Sequence, residues 1–224
     1  MIHHGRWQDV FKGVSCNAII CDPPYGERVH KSKARRSDGC NKAGTAPSYP
    51  PFSPKLVSEF VDSWSPRCSG WMACITDHSL IDAYQTAYEA AGRYSFAPVP
   101  IVIKGMSVRL SGDGPASCGL YLMVARNRSA ALSGSLPGFY VGNRTTEAGE
   151  GRGKPQWLMR AIVRDYSKRG DTVVDPFAGW GATITAAIGL GRIGIGSEVD
   201  KDAYEKAKRR LSNGQQQDMF DCAA

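Results

Sequence analysis

Two short segments carry residue types that could do chemistry. The first is Asp22-Pro23-Pro24-Tyr25, which follows the apolar run Asn17-Ala18-Ile19-Ile20-Cys21. Two successive prolines cannot continue a hydrogen-bonded ladder, so the run reads as a buried strand stopped by a rigid loop. A carboxylate beside a proline carbonyl offers acceptors, and the proline brings no N–H of its own. That pair suits an aromatic exocyclic amine, whose lone pair is delocalised into the ring. Accepting both N–H bonds favours a more tetrahedral nitrogen, with its lone pair free to attack an electrophilic methyl group. Tyr25 adds a face on which an extruded base can stack. The same residues also occur as plain turn punctuation, and taken alone the segment leaves both readings open.

The second segment is Asp175-Pro176-Phe177-Ala178-Gly179-Trp180-Gly181, after the apolar Thr172-Val173-Val174. A strand ending in an acid, then a glycine turn opening a helix, is where open α/β sheets bind ligands. Gly179 and Gly181 let a ligand approach the backbone, and a helix N-terminus favours a carboxylate. The next apolar run ends at Ser197-Glu198, about 20 residues on, where an acid can accept both ribose hydroxyls. The three glycines of a dinucleotide fingerprint are missing, which favours a nucleoside cofactor without pyrophosphate. An ordinary glycine turn is the alternative.

Alternating elements position these segments. Strands are expected at 17–21, 72–76, 98–103, 120–125, 172–175 and 192–199, the third and fourth of them as a pair. Helices are expected at 55–64 (Leu56, Phe60 and Trp64 on one face), 78–91 capped by Asp77, 154–166 with Pro155 in the first turn, 182–190, and 201–211 capped by Asp200. The tail from Ser212 reads as frayed, and 129–153 resists assignment. Strands alternating with helices imply an α/β fold with a mainly parallel sheet. The 224 residues suit one domain. Within it, 27–53 reads as a basic, mobile loop with almost no apolar anchor.

The charge balance narrows the partners. Lys and Arg number 28 against 21 Asp and Glu, a formal +7 that favours polyanions, nucleic acid first among them. The seven cysteines form no Cys-x-x-Cys pair and the four histidines show no ligand spacing, so neither a disulfide framework nor a metal site is expected. No apolar run reaches membrane-spanning length and the N-terminus has no signal pattern, so a cytoplasmic protein without a membrane partner is expected.

In combination the two segments resemble the permuted β class of amino-methylating DNA methyltransferases, adenine-N6 enzymes of phage or solitary bacterial type. In that class the Asp-Pro-Pro-Tyr motif precedes the cofactor motif, as here. Lys154-Pro155-Gln156-Trp157-Leu158-Met159, then 170–177, then 194–200 resemble its signature in order and spacing. The resemblance is strongest over 17–26 and 154–211. It implies the class I S-adenosylmethionine-dependent (Rossmann-like) fold, with a seven-stranded, mostly parallel sheet in circularly permuted motif order, S-adenosylmethionine as donor and a flipped DNA base as acceptor. It implies that Asp22, Pro23, Pro24 and Tyr25 hold the amine and base. Asp175, Phe177, Gly179 and Gly181 would line the methionine end of the cofactor and Glu198 its ribose, with Cys21, Pro176 and Lys154 also in the cofactor site.

For DNA the candidates are Arg28, Lys31, Lys33, Arg35 and Arg36 in the basic loop, and Arg109, Arg126, Arg128 and Arg144 in a reduced target-recognition region over 104–153. That region also has to supply one strand, and a homodimer would double its reading surface. Three positions depart from the class pattern: Arg6 follows Gly5 where Asp is usual, Trp180 stands in the glycine turn, and 150–153 lacks His-Pro. Cytosine-N4 enzymes share the chemistry but typically carry Ser where Asp22 stands. Cytosine-C5 methylation needs a Pro-Cys that is absent. Enzymes acting on RNA mostly place the cofactor motif first. A catalytically silent nucleic-acid-binding subunit is the alternative from another class.

Overall fold

The computed structural model describes residues 1–27, 50–105, 119–129, 135–144 and 153–221, with side chains as far as 212. In chain order the elements are β1 (Ile2–His4), α1 (Trp7–Val10), β2 (Cys16–Cys21), α2 (Pro54–Trp64), β3 (Cys68–Thr76), α3 (Ile81–Ala90), β4 (Arg93–Ser95), β5 (Val99–Lys104), β6 (Leu120–Asn127), β7 (Tyr140–Asn143), α4 (Gln156–Tyr166), β8 (Thr172–Asp175), α5 (Ala182–Gly189), β9 (Ile193–Glu198) and α6 (Lys201–Asp221). The strands form one sheet in the order β1-β9-β8-β2-β3-β6-β5-β7, with β4 also on β6.

The five strands from β1 to β3 are mutually parallel, and β6 turns antiparallel to β3. Seven strands make the expected sheet; the short β4 and β7 extend its far side. Both faces of the centre are covered, which is why β2 reads as an unbroken apolar run. Ala18 and Ile20 pack under α4 and α5 with Leu158, Ile162 and Ala186, while Ile19 and Cys21 face α2 and α3 with Phe60, Trp64 and Tyr84.

The inward face of α2 is Val57, Phe60, Val61 and Trp64 rather than Leu56, Phe60 and Trp64. Ser53 accepts from the Leu56 amide, capping the start. Asp77 caps only a 3-10 turn over His78–Leu80, after which α3 begins. Pro155 stands just before α4 rather than in its first turn. The expected fraying from Ser212 is not seen, since α6 runs to Asp221. β1, α1, β4 and β7 are too short to show a period, and none was read from the sequence.

The region expected to read bases supplies both β6 and β7 rather than one strand, with residues 106–118, 130–134 and 145–152 outside the described ones. Residues 28–49, most of the expected basic loop, also lie outside. No helix of the described residues is long and apolar enough to cross a membrane.

Candidate functional site

Because β8, β9, β1, β2 and β3 run parallel, their carboxyl ends share one edge of the sheet. That edge collects Asp175, Glu198, Gly5, Asp22 and Asp77. Strand order reverses between β8 and β2, so Asp175 and Asp22 flank the switch point where such sheets leave a crevice.

On the β2 side, the turn that the prolines impose is held by three hydrogen-bonded side chains. Tyr25 donates its hydroxyl to Asp22 Oδ1 at 2.8 Å. Lys154, just before α4, donates to both Asp22 Oδ2 and the Tyr25 hydroxyl, with its ammonium 5.0 Å from the Tyr25 ring centre. Below them, the Gly26 amide donates to buried Asp77 Oδ2 at 2.8 Å, and Asp77 Oδ1 accepts from the Ser79 amide at 2.7 Å. The Phe52 amide closes the far side on the Tyr25 carbonyl at 3.2 Å. Pro23 is buried and Pro24 half-buried in this turn.

On the β8 side, Asp175 is 2% exposed. Its Oδ1 accepts from the Phe177 amide at 2.9 Å. Burial is the largest influence on its proton affinity and pushes its pKa up to about 7; hydrogen bonds from Thr183 and Phe177 pull down, and the charges of Asp22 and Glu198 push further up. The Glu198 carboxylate spans the glycine turn, accepting from Gly179 N and Asp200 N, each at 2.8 Å, and burial raises its pKa. Gly179 and Gly181 adopt positive φ of 53° and 78°, values that suit glycine. Buried Pro176 is fixed through its carbonyl, which accepts from Ser197 Oγ at 3.0 Å. Phe177 leans on Phe52 and Phe60, joining the glycine turn to the element that follows the Asp22 turn. Trp180 lies under Lys206, 4.5 Å from the ring centre.

Asp22, Pro23, Pro24, Tyr25, Asp175, Pro176, Phe177, Gly179, Gly181 and Glu198 therefore converge on one edge. Cys21, expected in the cofactor site, is fully buried with its thiol toward Cys74 Sγ at 3.6 Å, so its side chain points into the core. Lys154, expected on the cofactor, is hydrogen-bonded to Asp22 and Tyr25. Of the arginines expected on DNA, Arg144 follows β7 on the site edge, its amide donating to Lys104 O. Arg126 and Arg128, also expected on DNA, lie at the opposite edge of the sheet. Arg126 pairs with Trp71 near the start of β3, six residues and roughly 20 Å of strand from Asp77. There both arginines cover Tyr94. Arg28, Lys31, Lys33, Arg35, Arg36 and Arg109 lie outside the described residues.

Residues missed by the sequence reading are Asp77 as anchor of the Tyr25–Gly26 turn, Thr183 on Asp175, and Phe52 against Phe177. Asp77 could have been found, since it follows an expected strand of a sheet read as mainly parallel. A cavity of about 570 Å³ lies behind Phe52, lined by Trp7, Phe11, Leu56 and Arg67, and contains none of the expected site residues. Among the described residues no cluster of His, Cys, Asp or Glu could hold a metal ion.

Comparison with known proteins bears on the fold and the family resemblance. The DNA methylase family pattern matches residues 136–209. The Type II methyltransferase M.MjaI of Methanocaldococcus jannaschii is 51% identical over 47 residues, 21% of this chain and 16% of that protein. The DNA adenine methyltransferase YhdJ of Escherichia coli is 41% identical over 58 residues, 26% of this chain and 20% of that protein. These matches span about a fifth or less of the relatives' own length. Among solved structures, the M1.HpyAVI–SAM complex superposes with a TM-score of 0.71 over 94% of this chain and 98% of that one, at 21% identity. The chain thus has the class I methyltransferase fold, and its resemblance to the amino-methylating DNA methyltransferases holds.

Proposed function

We propose that this chain transfers the methyl group of S-adenosylmethionine to the N6 amino group of adenine in DNA. The observation that carries the reading is a hydrogen-bonded Asp22 and Tyr25 across the switch point from the buried acids Asp175 and Glu198.

The residues around those two acids fit the cofactor. The charges of Asp22 and Glu198 add to the cost of ionising Asp175, and a ligand carrying a sulfonium and an ammonium would relieve that repulsion. A Cβ on Gly179 would meet nothing within 4 Å, so the turn is open to a ligand. The Glu198 carboxylate, held by the Gly179 and Asp200 amides, is oriented to accept from ribose hydroxyls. Asp175, Phe177 and Gly179 would hold the methionine end. When bound, the cofactor supplies a methyl group made electrophilic by its sulfonium.

The chain's own residues act on the acceptor. Asp22 takes one N–H of the amine and the Pro23 carbonyl the other, turning the nitrogen lone pair toward the donor. Tyr25 stacks on the extruded base while its hydroxyl, bonded to Asp22 Oδ1, fixes the carboxylate orientation. Asp22 favours adenine over cytosine-N4, whose enzymes typically carry serine there. The basic residues, including Arg144 on the site edge, favour DNA phosphates.

The test is to express wild type and Asp22→Ala in a methylation-deficient host, sequence the DNA with modified-base detection, and titrate each protein with S-adenosylmethionine. N6-methyladenine from wild type, none from the variant, and similar cofactor affinity in both are expected. Wild-type methylation by the variant would remove Asp22 from the chemistry, and N4-methylcytosine would overturn the adenine assignment.

A further inference from the structure

We infer that Lys154 is the positioning residue of the acceptor site, locking Asp22 and Tyr25 in working geometry and holding them in register with the cofactor turn. The inference rests on the amine-methylation reading above and adds a residue to it.

The geometry is a closed triangle: Tyr25 donates to Asp22 Oδ1, and Lys154 donates to Asp22 Oδ2 and to the Tyr25 oxygen. Each of the three groups has both other members as partners, so the carboxylate plane and the ring are fixed together. The side chains of Lys154 and Asp22 are 16% and 31% exposed, so the pair is sheltered from solvent on most sides. Charge-assisted bonds in such a place are shorter and roughly twice as strong as neutral ones. An unpaired Asp22 would meet the charge of Asp175 with no cation on it.

The segment bearing Lys154 reaches the other parts of the site within three residues. Gln156 donates to the Ala182 carbonyl at the start of α5, the helix opened by the glycine turn, and accepts from Arg210. Trp157 Nε1 donates to the Asn143 carbonyl at the end of β7. One short stretch thus touches the acceptor turn, the cofactor helix and the edge strand that precedes Arg144. A lysine reaching from this stretch sets the distance between the amine's acceptor and the methyl donor. A misplacement of about 1 Å there can cost roughly 100-fold in rate.

The experiment compares wild type, Lys154→Met, Lys154→Arg and Asp22→Asn, measuring kcat and both KM values on unmethylated DNA and the cofactor Kd by calorimetry. Lys154→Met should lower kcat by roughly 100-fold with the cofactor Kd within about twofold, and Lys154→Arg, which keeps a cation, should recover most of the rate. A merely structural lysine would not give this split with rescue by charge. Unchanged kcat in Lys154→Met overturns the proposal, as does a lost cofactor affinity with normal kcat at saturation, which would return Lys154 to the cofactor. Lys154→Arg as slow as Lys154→Met also overturns it. If Asp22→Asn turns over like wild type, the methylation reading fails and takes this one with it. A dead Asp22→Asn beside an active Lys154→Met sinks this proposal alone.

Discussion

Replacing Asp175 by Asn should reveal how much stability the chain gives up to keep an acid at the end of β8. The carboxyl is 2% exposed and its pKa is pushed from an ordinary 3.8 to about 7, chiefly by burial. The folded protein therefore binds the Asp175 proton more tightly than the unfolded one. Stability from this group is fully present below about pH 4, falls as pH rises, and levels off above about pH 7. Three powers of ten in proton affinity at about 1.4 kcal/mol each make the whole loss about 4 kcal/mol, of which about 3 kcal/mol falls between pH 5 and 8. Asn imitates the protonated acid and keeps an Oδ1 acceptor for the Phe177 amide. In ligand-free protein the variant should thus exceed wild type in stability at pH 8 by far more than at pH 5. Urea unfolding of both proteins across that range reads the difference directly, with background titration cancelling between them. A variant-minus-wild-type difference that is flat with pH, or that grows toward acid, would refute the argument.

The other predictions concern the pocket, the turn and the DNA. Glu198→Ala should weaken S-adenosylmethionine by about 1.5–3 kcal/mol, the range for hydrogen bonds to a charged group, with calorimetry as the check; unchanged affinity would place the ribose elsewhere. Gly181→Ala should destabilise the fold by about 1–2 kcal/mol or more, because φ is 78° and the new Cβ would lie 3.2 Å from Ala207 Cβ against α6. A thermal melt unchanged from wild type would mean the turn relaxes at no cost. DNA affinity should fall steeply with salt, each phosphate contact adding about −0.9 to the log–log slope. With few base readers available, the recognition sequence should be short or relaxed, and a methylome with one strict site of six or more bases would contradict that.

By itself the sequence determined the two chemical segments and the elements that end in them. A buried strand in a parallel sheet is apolar on both faces, so 17–21 and 172–175 stood out as runs, and prolines and glycines marked where each stopped. That local chemistry was enough to expect Asp22, Tyr25, Asp175 and Glu198 at strand ends. Only the tertiary structure decided which ends are neighbours. Strand order depends on pairing between residues more than a hundred apart, and it put β8 beside β2 and so Asp175 beside Asp22. The same long-range pairing separated Arg126 and Arg128 from the site, because β6 is antiparallel to β3 and carries its last residues to the far edge. Lys154 and Asp77 show the limit most directly. Each was legible as a residue at an element boundary, one before a helix and one after a strand. The partner each would grasp, 132 and 51 positions away, was set by folding of the whole sheet, since a long or polar side chain takes whichever acceptor or donor the packed backbone brings within reach.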